Sequence, residues 1–169
     1  MKIGLISDTH SFFDHQLREY FSDCDEIWHA GDFGNMKVVE ELQKIAPLRG
    51  VYGNIDGQEI RQDFPLHLRF RVEGLDVWMT HIGGIPGRYS LPIREELTKN
   101  PPELFICGHS HILKIVRDKE LNNMLFMNPG AAGKQGFQQV RTAVTFELAN
   151  AQLSNARVIH LGELGKTNR

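Results

Sequence analysis

The run Met1-Lys2-Ile3-Gly4-Leu5-Ile6-Ser7-Asp8-Thr9-His10 sets the reading of the whole chain. Met1 to Ile6 is a short apolar strand, and residues two apart in extended backbone point to the same side. Asp8 and His10 therefore face one point just beyond it. A carboxylate and an imidazole aimed together suit a borderline divalent cation, although Asp-x-His alone is as readily a turn beside a chance histidine. The decision rests on four later segments that end in the same way.

Outward from this stretch, Asp14 is placed to cap a helix with Leu17, Tyr20 and Phe21 on one side. Glu26 to Ala30 reads as a second strand and turns at Gly31 to leave Asp32 at its tip. Asn35 caps the next helix, striped by Val38, Val39, Leu42 and Ile45 and stopped by Pro47. Leu48 to Tyr52 is a third strand, running into Gly53-Asn54-Ile55-Asp56-Gly57. This βαβα order favours parallel strands.

Leu66 to Val72 and Leu75 to Thr80 alternate apolar and polar residues around Glu73-Gly74, the pattern of a hairpin whose second strand delivers His81. The glycine-rich loop 82–89 follows, then a helix with Ser90 as cap, Pro92 in its first turn, and Ile93 and Leu97 turned inward. Leu104 to Cys107 is apolar throughout, as in a strand buried on both faces, and it delivers Gly108-His109-Ser110-His111. Strands are expected at 112–116, 124–127, 142–148 and 157–161, with a polar tail over 162–169. Helices early and strands late imply two packed sheets with helices outside.

The bulk properties narrow the classes. The 169 residues fit one domain, 1–169, and with 41% hydrophobic and 24% charged residues the chain has the composition of a globular protein. A net charge of -2 supplies no global positive field, so bulk nucleic-acid binding is not expected. Cys24 and Cys107 are far apart in no CxxC pattern, which points to two structural thiols in a reduced compartment. The first apolar run is too short for a signal peptide and no run is long enough for a bilayer, so the expectation is a cytoplasmic protein with no membrane partner.

Asp8, His10, Asp32, Asn54, His81, His109 and His111 are expected one or two residues past their strands, where ligands of α/β sheets gather. Seven donors exceed the needs of one four-coordinate metal and suit two ions sharing a carboxylate. Their mixture of imidazole, carboxylate and amide oxygen favours Mn, Fe or Zn over Ca or Mg. Asp8-Thr9-His10, Gly31-Asp32, Gly53-Asn54, Thr80-His81 and Gly108-His109-Ser110-His111 resemble, in order, the motifs of the calcineurin-like metallophosphoesterases, in particular the small single-domain phosphodiesterases of bacteria and archaea.

That resemblance implies a four-layer αββα sandwich of two mixed sheets. It also implies two divalent ions, Mn2+ foremost with Fe, Zn or Ni as alternatives. Asp8, His10, Asp32 and His111 would hold the first and Asp32, Asn54, His81 and His109 the second, with Asp32 bridging. Two ions roughly 3.5–4 Å apart make hydroxide available near neutral pH for in-line attack on phosphorus, without a covalent enzyme intermediate. The implied activity is hydrolysis of a small phosphate ester, a diester before a monoester or phosphoprotein. Many relatives carry histidine after the motif asparagine, whereas this chain has Ile55, so acidic leaving groups should be favoured.

Two rivals remain: a mononuclear zinc protein, and an interaction scaffold such as the small retromer subunit, a branch in which a metal-ligand histidine is replaced. Here every such position keeps a competent donor. Exposed strand edges leave room for an oligomer. Around the motifs, Asp56 reads as a turn residue or an orienter, and His29 as an orienter or a satisfied core histidine. Arg88 and Lys134 are candidate phosphate contacts, segment 133–137 a candidate cleft wall, and Phe12 and Phe13 cleft or packing residues. His15, His67 and His160 read as surface residues.

Overall fold

The computed structural model describes residues 1–164. The order is β1 (Lys2–Ile6), α1 (Leu17–Tyr20), β2 (Glu26–His29), α2 (Met36–Gln43), β3 (Leu48–Gly50), α3 (Gln58–Asp63), β4 (His67–Val72), β5 (Leu75–Thr80), β6 (Gly84–Ile85), β7 (Arg88–Tyr89) and α4 (Leu91–Lys99). After these come β8 (Leu104–Ile106), β9 (Leu113–Asp118), β10 (Met124–Pro129), β11 (Val140–Ala149) and β12 (Gln152–Glu163). One sheet has the order β12-β11-β1-β2-β3 and the other β4-β5-β8-β10-β9; both are mixed, with β1, β2 and β3 parallel on one side of the first and β5, β8 and β10 parallel at the centre of the second.

Alternation explains the layers. In β1, Ile3 and Leu5 face the space between the sheets, where they join Trp28, Val77, Met79, Leu104, Ile106 and Met127. Their neighbours point outward: Ile6 and Ile27 meet Leu17, Phe21, Val38 and Leu42 from α1 and α2. Trp78 and Phe105 meet Ile93 and Leu97 of α4 on the far side. Central strands apolar on both faces thus demand cover on both, which gives the α/β, four-layer αββα arrangement. Each such buried side chain contributes about 1.5–3 kcal/mol. No helix among the described residues is long and apolar enough to cross a membrane.

Several expected boundaries move. α1 is a single turn; Asp14 Oδ1 accepts from the Gln16 N–H (3.0 Å) while Oδ2 meets Arg141 (2.7 Å), and Leu17 and Phe21 turn inward but Tyr20 is exposed. Asn35 caps α2 as expected, its Oδ1 accepting from the Val38 N–H (3.2 Å), whereas Ser90 heads α4 without a side-chain cap bond. α3 was not anticipated, since only Ile60 is buried in it. Loop 82–89 contains the β6–β7 hairpin. The supposed tail at 162–169 is partly strand: Gly162 and Glu163 complete β12, and the Leu164 N–H bonds the Gln139 carbonyl (2.9 Å). Residues 165–169 of that tail lie outside the described residues.

Candidate metal centre

Parallel strands end at one edge, and their loops are stitched there by backbone hydrogen bonds. The Asp8 N–H donates to the Gly31 carbonyl (3.0 Å), His10 N–H to Asp32 carbonyl (3.0 Å), Gly108 N–H to His81 carbonyl (3.0 Å) and Gly133 N–H to Asp8 carbonyl (3.0 Å). Two approaches demand glycine: a Cβ on Gly53 would collide with the Asp32 carboxylate, and one on Gly108 with Ser7 Oγ. The strands end earlier than expected, so only Asp8 and His81 lie within two residues of one; the other donors ride further along the loops. Asp8, His10, Asp32, His109 and His111 all hold positive φ, between 44° and 67°. Left-handed backbone costs a non-glycine residue about 1–2 kcal/mol, strain that is retained where the surroundings over-determine it.

The side chains form two groups: Asp8, His10 and His111, and Asp32, His81 and His109. Asp8 Oδ1 stands 3.2 Å from His111 Nε2, 3.7 Å from His10 Nε2 and 3.8 Å from His81 Nε2. Asp32 Oδ2 faces both groups, 3.4 Å from His10 Nε2 and 3.1 Å from His81 Nε2. The amide oxygen of Asn54 completes the second group, 3.0 Å from His109 Nδ1. All seven residues singled out in the sequence are therefore brought together.

The outer atoms of these side chains are tied down so that the inner ones are free. Asp8 Oδ2 accepts from Ser7 Oγ (2.6 Å) and the His109 N–H (3.1 Å), and Asp32 Oδ1 accepts from the Ile55 N–H (3.1 Å). His81 Nδ1 lies 2.7 Å from the Ala30 carbonyl, which can only accept; the ring proton is on Nδ1 and the Nε2 lone pair faces the carboxylates. His111 Nδ1 likewise donates to Gln138 Oε1 (2.9 Å), whose amide nitrogen donates to the Gly133 and Gln135 carbonyls. Asp8 Oδ1, His10 Nε2 and His81 Nε2 are buried with no hydrogen-bond partner among the described residues. Leaving such atoms unpaired costs about 1–3 kcal/mol each.

The electrostatics agree. Burial alone would raise the carboxyl pKa of Asp8, but His10 and His111 beside it hold it well below the usual range. Asp32 is lowered against the same burial penalty by His81 and the Ile55 N–H. For His81, burial opposes the charged ring, yet Asp32 and Asp8 raise its pKa; the adjacent Asp8 carboxylate raises that of His111. This pocket is built to attract positive charge. Donor atoms about 2.0–2.2 Å from an ion stand roughly 3–3.5 Å apart around it, close to the spacings here, so the residues fit divalent cations.

Comparison with known proteins gives this geometry its context. The family model of the calcineurin-like phosphoesterase superfamily domain matches residues 1–151. The chain belongs to that superfamily. It is 31% identical over 136 residues to a "probable metallophosphoesterase" of Methanothermobacter thermautotrophicus, covering 78% of this chain and 77% of the relative. Among solved structures, a novel archaeal phosphodiesterase superposes with a TM-score of 0.72 at 23% identity, covering 95% of this chain and 99% of that one. Zinc-complexed Vps29 of Entamoeba histolytica superposes with a TM-score of 0.73 at 15% identity, covering 96% and 100%. Both likenesses show the shared fold. The superfamily is one of metal-dependent phosphoesterases, which agrees with the two donor groups.

The neighbouring residues sort as follows. His29 is fully buried and stacked on Phe33 (3.7 Å); burial pushes its pKa down to about 3. Its Nδ1 accepts from the Gly31 N–H (3.1 Å) and its Nε2–H meets Thr9 Oγ1 (3.0 Å), making it a neutral core histidine that braces two motif loops. Segment 133–137 does wall the site: Phe137 stacks over His111 (6.2 Å) and Lys134 sits over Phe12 (4.3 Å). Phe13 packs into the core under α1. His15 and His160 are exposed, as is His67, whose Nδ1 meets Thr80 Oγ1 (2.8 Å). Asp56 is more than a turn residue, since its carboxylate accepts from the N–H groups of Phe33 (3.2 Å), Gly34 (2.8 Å) and Gly53 (2.8 Å). Neither Ser7 nor Gln138 was singled out in the sequence.

Proposed function

We propose that this chain is a phosphodiesterase dependent on two divalent cations, Mn2+ foremost. Asp8, His10 and His111 would hold one ion, and His81, His109 and Asn54 the other, with Asp32 serving both. What carries the reading is the convergence of three buried, partnerless donors, Asp8 Oδ1, His10 Nε2 and His81 Nε2, on one point. Such a pair of ions supplies charge neutralisation for phosphoryl oxygens and acidification of solvent at phosphorus.

The residues themselves contribute placement. Ser7 and the His109 N–H aim Asp8, Ile55 N–H aims Asp32, and Ala30 and Gln138 fix the ring orientations of His81 and His111. Ile55 offers no proton to a departing alkoxide, so esters with acidic leaving groups should turn over faster. The substrate is read as a small phosphate ester. The free, buried Cys24 and Cys107 are consistent with a cytoplasmic location.

The fold likeness to Vps29 supports a second reading, a non-catalytic scaffold. One experiment separates the two. With Mn2+ the chain should hydrolyse bis(p-nitrophenyl) phosphate, and dialkyl phosphates far more slowly; Asp32→Asn and His109→Ala should each lower kcat by about 100-fold or more. Lack of hydrolysis with any divalent metal would leave the scaffold.

A further inference from the structure

A cleft of about 380 Å³ opens from the Asn54 and His81 side of the centre, running between the segment after β3 and the start of α4. Its walls are largely apolar: Tyr52, Leu66, Ile82, Pro92 and Ile93. Leu66 is 46% exposed and Ile82 43%, although both are large and face a concave surface rather than a flat one. Unpartnered apolar surface in a concavity beside a reactive centre is where small ligands are held.

Of the polar side chains lining the cleft, Thr80, His67 and Arg61 are already engaged. Thr80 Oγ1 meets His67 Nδ1 (2.8 Å). Arg61 donates from Nε to the Asp56 carbonyl (2.6 Å) and from Nη2 to the Asn54 carbonyl (3.4 Å), and its guanidinium lies over the Tyr52 ring (4.5 Å). Among the described residues no carboxylate lines the cleft, whereas Arg61 and the imidazoles of His67 and His81 do. The exposed lining is predominantly apolar, so a hydroxyl-rich substituent would lose water with little replacement. An apolar group attached to an anionic phosphorus loses nothing there and removes Leu66 and Ile82 from water.

We propose that this cleft is a specificity subsite for a compact apolar ester substituent, so that the preferred substrates are phosphate esters bearing an apolar group rather than a sugar or polyol. The inference rests on the phosphoesterase reading above. In calorimetric titrations of the Mn2+-loaded protein, phenylphosphonate should bind about 10-fold or more tighter than methylphosphonate, from the apolar area buried. Leu66→Asp and Ile82→Asp, both at exposed positions, should reduce that preference to about 2-fold or less, and Leu66→Ala should reduce it in part. Val158→Asp, on the other sheet, should leave it intact. Equal affinities in the unaltered protein, no binding of phenylphosphonate, or a preference surviving both aspartate variants would overturn the subsite. If the same preparation hydrolyses the p-nitrophenyl diester yet shows equal affinities, the subsite alone fails; absent hydrolysis counts against the phosphoesterase reading instead.

Discussion

Asp56 illustrates how a residue that faces no other donor in the cluster can decide whether the cluster forms. Its two oxygens collect N–H groups from Phe33, Gly34 and Gly53, so it clamps the loop bearing Asp32 to the loop bearing Asn54. It is 2% exposed, and water could replace those bonds only by entering the core. Asp56→Ala should cost about 3 kcal/mol of stability and weaken Mn2+ binding at least about 10-fold, whereas a mere turn residue would leave both unchanged. Thermal unfolding and Mn2+ titration of the variant check this. The seven residues gathered here were legible in the sequence because each is a ligand type in a loop that follows an apolar, strand-like run. Asp56, Ser7 and Gln138 were not: Asp-Gly looks like any turn, and a serine or glutamine that aims another side chain leaves no mark in spacing.

Among the elements, the loop between β1 and α1 is fastened to the β11–β12 pair by a buried ion pair and by Gln16, whose side-chain nitrogen donates to the Leu161 carbonyl (2.8 Å). Asp14 meets Arg141 Nη1 (2.7 Å), while Arg141 also donates to the Ala132 (3.1 Å) and Leu161 (2.8 Å) carbonyls. Burial works to raise the Asp14 pKa, but Arg141 and Gln16 outweigh it and lower it. A carboxyl group with a depressed folded pKa stabilises fully above its unfolded value of about 3.9 and loses that contribution as pH falls through the folded value. Asp14→Asn should therefore cost about 3–5 kcal/mol near pH 7, and the gap to the unaltered protein should narrow below about pH 4. Urea midpoints across pH measure it; a gap independent of pH contradicts the ion pair. That contact was not legible, since a partner 127 positions away is invisible to local periodicity. α3 and the β6–β7 hairpin escaped for a related reason: each buries too few residues to set a pattern.

Across the molecule, the two sheets serve as a frame that brings five loops to one edge, and strain at five donor positions is held there by core packing on both sheet faces. The αββα layering was legible because β8 is apolar on both faces and helices follow only the earlier strands. Strand order was not, because β11 inserts beside β1 and β10 beside β8 through contacts remote in sequence. The measurement that bears most directly on a shared, two-ion centre is metal content after equilibration with Mn2+ and removal of excess ion. Two equivalents per folded chain are expected, with Asp32→Ala, checked for folding by circular dichroism, retaining at most one. A single equivalent in the unaltered protein, or two retained without the Asp32 carboxylate, would contradict it.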